Sequence, residues 1–121
     1  MRVFKNRWFT RFARKEGISD EELRDIVDKL EAGQADADLG GDVYKVRISR
    51  PGEGKSGGYR VIVFFKSEER TFFIYGFAKS DRANIDQGEL RMFKDEAKED
   101  FSLTDEQIKD RIRKGTLIEV L

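Results

Sequence analysis

The side chains of this sequence that are suited to chemistry are basic ones in the middle of the chain. Lys45 and Arg47 alternate with apolar residues, Arg60 follows a glycine-rich stretch, and Lys79 follows the last long apolar run. The sequence has no Cys and no His, which excludes thiol and imidazole nucleophiles, disulfides and zinc sites built from those ligands. Catalysis must therefore use Lys, Arg, Tyr, Ser or carboxylate groups.

These four basic residues are expected to converge, because they lie on or beside neighbouring predicted strands. Like charges held together on a sheet destabilise the free protein. Such a cluster makes sense if an anion, or charge that develops in a transition state, neutralises it. The alternative is that each cation is a solvated neighbour of an acidic side chain across the sheet, and the sequence alone leaves both interpretations open.

The glycine-dense stretch Gly52-Glu53-Gly54-Lys55-Ser56 has some likeness to a phosphate-binding P-loop. That motif requires a glycine where this chain has Ser49, and a helix where this chain predicts a strand, so a nucleoside-triphosphate site is excluded. Lys55 and the nearby Arg50 are candidates for substrate binding, because glycines let the main chain approach a phosphate closely. An ordinary hairpin connection explains the stretch equally well.

Charge is unevenly distributed although 24 basic and 24 acidic side chains cancel formally. Residues 43–82 hold nine basic and four acidic side chains, and residues 16–42 hold two basic and ten acidic ones. A basic centre of this kind favours an anionic ligand, since local field steers a phosphate backbone to its site. No apolar run is long enough for a signal peptide or a membrane span, so a cytoplasmic location is expected.

Apolar residues at helical spacing predict two helices in the N-terminal part of the chain. The first carries the stripe Phe4, Trp8, Phe9, Phe12 and Ala13. Gly17 is well placed to end it. Ser19 has the form of a capping residue for the second helix, whose apolar stripe stops at Gly33.

The period changes to two after Gly40-Gly41, which predicts strands. Alternating or aromatic and β-branched runs cover residues 44–48, 59–65 and 71–78, and short polar segments join them into a β-meander. Asp86 and Thr104 begin two further helices, and residues 117–121 predict an edge strand. The fold class is therefore α+β. We predict an antiparallel sheet of three to four strands, packed on one face by two N-terminal and two C-terminal helices, in one domain spanning residues 1–121.

Three stretches of the chain carry a family resemblance. They are Tyr44-Lys45-Val46-Arg47-Ile48, Gly54-Lys55-Ser56-Gly57-Gly58-Tyr59-Arg60 and Tyr75-Gly76-Phe77-Ala78-Lys79-Ser80-Asp81-Arg82-Ala83-Asn84-Ile85. These stretches resemble the HigB-like branch of the RelE/ParE toxin superfamily, and the likeness extends over essentially the whole chain. It implies a compact RelE-like, microbial-ribonuclease-like fold. It also implies a toxin of a type II toxin–antitoxin system that cleaves mRNA in the ribosomal A site without a metal or other cofactor.

The resemblance also implies roles for individual residues. The two basic residues on the first meander strand match Lys45 and Arg47, the Gly-Tyr-Arg pattern matches Gly58-Tyr59-Arg60, and the basic residue after the last strand matches Lys79. Lys45 or Lys79 is the expected base, with Arg60 and Arg47 on the phosphate. Arg82 is expected to bind substrate in place of an arginine that the family carries where this chain has Ser80.

Three functions remain open, which are the nuclease and two alternatives to it. A ParE-like inhibitor of DNA gyrase shares the fold without nuclease chemistry, and a noncatalytic module would use the basic face only to bind RNA or an acidic protein. For the nuclease, the expected partners are ribosome, mRNA and a cognate antitoxin, often of the helix-turn-helix type. Operator DNA would be bound through that antitoxin.

Overall fold

A computed structural model describes residues 1–50 and 54–121, with the side chains of residues 1–49 and 58–121. The elements along these residues are β1 (Arg2–Asn6), α1 (Arg7–Glu16), α2 (Asp20–Glu31), β2 (Ala37–Gly40), β3 (Val43–Arg50), β4 (Gly54–Lys66), β5 (Arg70–Ala78), α3 (Gln87–Phe101), α4 (Asp105–Arg113) and β6 (Leu117–Val120). The α+β class predicted from the sequence is confirmed. Among the described residues, no helix is both long and apolar enough to cross a membrane.

The strands form one mixed sheet in the order β2-β3-β4-β5-β1-β6. The central meander β3-β4-β5 is antiparallel, as the short connections between these strands predict. β1 pairs in parallel with β5, and β6 pairs antiparallel with β1 at the far edge. The predicted edge strand is therefore confirmed, whereas the sheet has more strands than expected and includes one parallel pair.

Helices cover both faces of the sheet, so two hydrophobic cores flank it. On one face, α1 and α2 bury a cluster that includes Phe9, Leu23, Ile26, Val46, Val61 and Val63. On the other face, α3 and α4 bury a cluster that includes Phe4, Ile62, Phe64, Phe72, Phe93 and Ile108. The expectation that helices cover one face is wrong. The central strands are apolar on both sides, which is the pattern of a sheet buried on both faces.

The first helix begins at Arg7 rather than near Phe4. Asn6 caps it, because its side chain accepts a hydrogen bond of 2.7 Å from the backbone N–H of Phe9. Phe4 lies instead in β1, fully buried and stacked on Phe72 with ring centroids 5.4 Å apart. The interval from Phe4 to Trp8 also fits a helical stripe, so local periodicity extended the predicted helix through the strand.

The other helix ends follow the predicted signals. Gly17 ends α1 in the left-handed conformation, with φ of 71°. Ser19 caps α2 by accepting from the backbone N–H of Glu22. Asp86 and Thr104 each form a reciprocal capping box at the start of α3 and α4. Local hydrogen bonds thus determine where the chain enters and leaves each helix.

Candidate functional site

A row of side chains crosses three strands on the face covered by α3. Arg47 of β3 lies opposite Arg60 of β4, and Arg60 lies opposite Phe77 of β5. Lys45 and Ile62 form the next row on the same face. Because directly opposed residues have Cβ atoms about 4.5–5.5 Å apart, the meander brings Lys45, Arg47 and Arg60 together. Three of the four residues predicted to converge are thus neighbours on the sheet, and we call these three residues the basic cleft.

Arg60 is the most unusual member of the basic cleft because it is buried and has no counterion among the described side chains. Its exposed fraction is 5%, and its guanidinium makes one long hydrogen bond of 3.5 Å, to the backbone oxygen of Tyr59. Among the side chains that the structure describes, no carboxylate forms an ion pair with it. A buried charge normally requires a partner, so Arg60 is suited to receive an anion.

Gly58 explains how β4 delivers Arg60 to this position. A Cβ atom at Gly58 would collide with the backbone oxygen of Ile48 on β3. The two strands can therefore approach closely at this point only because a glycine is present. The Gly58-Tyr59-Arg60 pattern consequently has a structural reason as well as a chemical one.

Lys45 and Arg47 have weaker partners than a buried charge pair would give. The Lys45 Nζ donates to Oδ1 of Asn84 at 3.3 Å, and the same oxygen accepts from the backbone N–H of Ile85 at 2.9 Å. Arg47 is exposed, and its Nε lies 3.9 Å from Asp36. Exposed pairs of this length contribute little, so both cations can turn to a phosphate at small cost.

Lys79 lies beside the basic cleft by its backbone. Its N–H donates to the backbone oxygen of Gly58 at 3.1 Å, which fixes it next to the Gly58-Tyr59-Arg60 segment. Its side chain is exposed and forms no ion pair with a described residue. The position fits the predicted role, which remains a prediction. Arg50 and Lys55, which are also predicted to bind substrate, have side chains outside the described ones.

Arg82, whose role in substrate binding remains a prediction, holds a network beside the basic cleft. Its guanidinium pairs with both carboxylate oxygens of Glu89, at 3.0 and 2.6 Å, and donates to the hydroxyl of Tyr75 at 3.2 Å. Its Nε donates to the backbone oxygen of Asn84 at 3.0 Å, and it lies 5.4 Å from the ring centroid of Phe77. Most of its donors are thus committed within the protein.

The Arg82 network also has a clear electrostatic signature. The hydrogen bond from Arg82, with a second from the backbone of Asp86, lowers the pKa of Glu89 to about 2. Glu89 in turn, with Tyr75, raises the pKa of Arg82 further above its usual value. Sequence reasoning missed the roles of Asn84 and Glu89. The sequence marks Asp86 only as the start of a helix, and the structure shows that Glu89 completes its capping box.

The basic cleft offers an anion site with one buried and two adjustable cations, and nothing in its geometry resembles a metal centre. Among the described residues, no group of three or more acidic side chains is placed to hold a metal ion. Fold and site together define a small α+β protein whose sheet brings together cations of the kind that suit a phosphate-like ligand.

A comparison with models of protein families shows to which family the chain belongs. A family model described as the RelE toxin of the RelE/RelB toxin–antitoxin system matches residues 1–120. The chain therefore belongs to the RelE toxin family.

Proposed function

We propose that this toxin is an endoribonuclease that cleaves mRNA on the ribosome, and that the basic cleft is its active site. The observation that carries the proposal is Arg60, a buried guanidinium with one long internal hydrogen bond and no ion pair among the described side chains. An RNA phosphate supplies the missing charge. The planar fork of an arginine suits two oxygens of one phosphate, and the arginine keeps its charge throughout the reaction.

The proposed reaction is attack of a ribose 2′-oxygen on the adjacent phosphorus. A base removes the 2′-hydroxyl proton, the bond from oxygen to phosphorus forms, and the bond from phosphorus to the 5′-oxygen breaks. An acid gives a proton to that leaving oxygen, so the products are a 2′,3′-cyclic phosphate and a free 5′-hydroxyl. Arg60 and Arg47 stabilise the negative charge that grows on the non-bridging oxygens.

Lys45 and Lys79 are the candidate bases, and each has a supporting observation. Lys45 is half-buried in the cleft and is oriented by Asn84, whose oxygen it contacts at 3.3 Å. Lys79 is held by its backbone beside Gly58 and presents an exposed side chain. Because the described site holds no His and few other groups that exchange protons, catalysis rests largely on orientation and charge stabilisation. We therefore expect free RNA to be a poorer substrate than ribosome-bound mRNA.

The partners follow from the same proposal. Membership of the RelE family suggests a cognate antitoxin as the inhibitor, often one with a helix-turn-helix domain. Operator DNA would then be bound through the antitoxin rather than through this chain. A cytoplasmic location agrees with a ribosomal substrate.

The proposal is tested by inducing the toxin without its antitoxin and mapping cuts in abundant mRNAs by primer extension. We expect cuts within translated codons that disappear in Arg60→Ala. The matched control is Lys66→Ala, which removes an exposed cation from the opposite end of the same strand and should leave the cuts unchanged. A supercoiling assay runs in parallel. Intact mRNA together with inhibited gyrase would contradict the nuclease and favour the ParE-like alternative.

A further inference from the structure

An aromatic groove lies beside the basic cleft, along the part of β5 that β1 does not cover. β1 pairs with β5 only as far as Phe73, and beyond it the Asn6 side chain donates to the backbone oxygen of Ile74 and Phe12 of α1 packs against Gly76. The groove has a volume of about 260 Å³ and is bordered by Trp8 and Phe12 of α1 and by Tyr75 and Phe77 of β5. Drug-sized ligands need roughly 300–1,000 Å³, so this groove suits a single small ring system.

The aromatic side chains of the groove form a connected series that leads away from Arg60. Phe77 is the direct cross-strand neighbour of Arg60. The rings of Tyr75 and Phe77 are 6.1 Å apart, and those of Trp8 and Tyr75 are 4.5 Å apart. The groove therefore adjoins the basic cleft through Phe77, which lines the groove and is paired with Arg60 in the sheet.

Trp8 is placed to contact a ligand. It is 44% exposed, although large apolar side chains are usually buried, and its indole N–H has no hydrogen-bond partner among the described residues. Its neighbour Tyr75 is fixed, because the tyrosine hydroxyl accepts from Arg82 at 3.2 Å. An exposed ring on a rigid aromatic support is the arrangement that proteins use to stack on unpaired bases.

The charges around the groove distinguish a base from a phosphate as its occupant. Glu16 and Asp81 line the groove together with Lys15 and Arg82, so its interior has mixed charge and suits the polar edge of a base. The cations Arg11 and Lys15 lie three and seven residues after Trp8 on α1, which puts all three on one side of the helix. Neither cation has an ion pair among the described residues, so both are available to the backbone of the same RNA strand.

We propose that the groove between α1 and the end of β5 beyond Phe73 binds an unpaired nucleobase next to the cleaved phosphodiester, with Trp8 as the stacking residue and Arg11 and Lys15 on the adjoining backbone. This inference rests on the proposed ribonuclease function and extends its substrate site. Stacking is tolerant of base identity, so the groove orients the strand rather than reading its sequence.

Trp8 is the only tryptophan of the chain, so its fluorescence reports directly on the groove. The probe is a single-stranded hexaribonucleotide with 2′-O-methyl groups, which binds but cannot be cleaved by 2′-hydroxyl attack. Titration at low salt should quench the tryptophan emission, and Lys15→Glu should weaken binding. Lys109→Glu, an exposed site on α4, is the matched charge control and should bind as tightly as the unaltered protein. Trp8→Ala, followed by anisotropy of a labelled probe, should bind about tenfold more weakly, and Trp8→Phe should recover most of the loss.

The outcomes separate the two proposals. RNA binding without quenching, or no binding at low salt, overturns the groove while Arg60-dependent cleavage of mRNA can still hold. Quenching that Lys15→Glu weakens, together with anisotropy that shows the loss in Trp8→Ala and its recovery in Trp8→Phe, supports the groove even if no cuts in mRNA are found, in which case only the nuclease function fails. Equal weakening by Lys15→Glu and Lys109→Glu would mean that net charge alone attracts the RNA, which also overturns the groove.

Discussion

Two arginines on neighbouring parts of this protein have opposite surroundings. Arg82, in the segment between β5 and α3, directs its donors to Glu89, Tyr75 and Asn84. Arg60, on β4, is more deeply buried and has one hydrogen bond of 3.5 Å. A cation whose donors have partners within the protein stabilises the structure around it, whereas a buried cation with few partners favours the binding of an anion. The difference indicates that Arg82 stabilises the wall of the basic cleft, whereas under the proposed function Arg60 binds the phosphate.

The most severe test of this comparison is Arg60→Met. Removing the main phosphate ligand should lower cleavage at least about 100-fold, as loss of a charge-stabilising donor does in other active sites. The free protein should nevertheless become more stable, by on the order of 1–2 kcal/mol, because an apolar side chain replaces an unpaired buried charge. Urea unfolding and mRNA cleavage measured on the same preparation check both effects. A less stable variant would contradict the claim that Arg60 is uncompensated.

Asp100 is also a buried ionisable side chain, but unlike Arg60 it can lose its charge. Burial, with a contribution from Glu96, raises its pKa to about 7 although Arg111 lies 3.8 Å away. A carboxyl group can take up a proton and an arginine cannot. Because the pKa of Asp100 is higher in the folded protein than in the unfolded chain, its protonation contributes to stability. This contribution is complete below the unfolded-state pKa near 4 and is lost as pH rises through the folded-state pKa of about 7. We expect the free energy of unfolding to fall by on the order of 2–3 kcal/mol from pH 4 to pH 8.

Asp100→Asn is the matched test of that pH dependence. The amide stays neutral, so its unfolding curve should change little over the same range and the variant should be the more stable protein at pH 8. Asp95→Asn, an exposed site on the same helix, should behave like the unaltered protein. Urea unfolding at several pH values measures this. Parallel curves for Asp100→Asn and the unaltered protein would show that Asp100 is not the titrating group.

A smaller effect is expected from Glu89→Gln, which keeps the capping acceptor but removes the charge that holds Arg82. Asn84 and then Lys45 should lose orientation, and cleavage should fall about tenfold. The pKa of Glu89 is lowered to about 2, so its contribution to stability is present above the unfolded value near 4.5 and is lost as pH falls towards 2. The variant should lack this acid-range loss. Acid titration followed by circular dichroism, beside the cleavage assay, would detect both changes or their absence.

The smallest expected effect is on thermal stability. Inorganic phosphate at tens of millimolar should raise the Tm of the unaltered protein by about 2–4 °C, because it binds only the folded state. Arg60→Met should lose this shift, and Arg82→Met should keep it. Sodium chloride at matched ionic strength is the control. An equal shift in both variants would place the phosphate elsewhere on the protein.

The sequence predicted much of the fold where local signals were strong. The caps at Ser19, Asp86 and Thr104 and the glycine stop at Gly17 placed helix ends correctly. β1 was missed because its partner in β5 lies far along the chain, and Phe4 fits a helical stripe equally well. The two-sided covering of the sheet was missed because runs with apolar residues on both faces were interpreted with one face open. That residues 1–121 form one domain remains a prediction.

The sequence predicts which cations belong to the candidate site, but it does not predict how deeply they are buried or which groups they contact. Alternation on β3 identified Lys45 and Arg47, and the family-like Gly-Tyr-Arg pattern identified Arg60. The burial of Arg60 and the lack of a counterion among the described side chains depend on tertiary contacts, which no local pattern encodes. Arg82 and Glu89 illustrate the same limit, since a basic residue near a site is as easily committed to a carboxylate as to a substrate.

The most direct measurement of the central claim is the chemistry of the cut ends. Ribosomes programmed with a defined mRNA are incubated with the purified toxin, and the fragments are treated with polynucleotide kinase and radioactive ATP. We expect the downstream fragment to carry a free 5′-hydroxyl and to be labelled without prior dephosphorylation. We expect this fragment to be absent with Arg60→Met. A 5′-phosphate on the fragment, or cleavage that persists in Arg60→Met, would contradict the central claim.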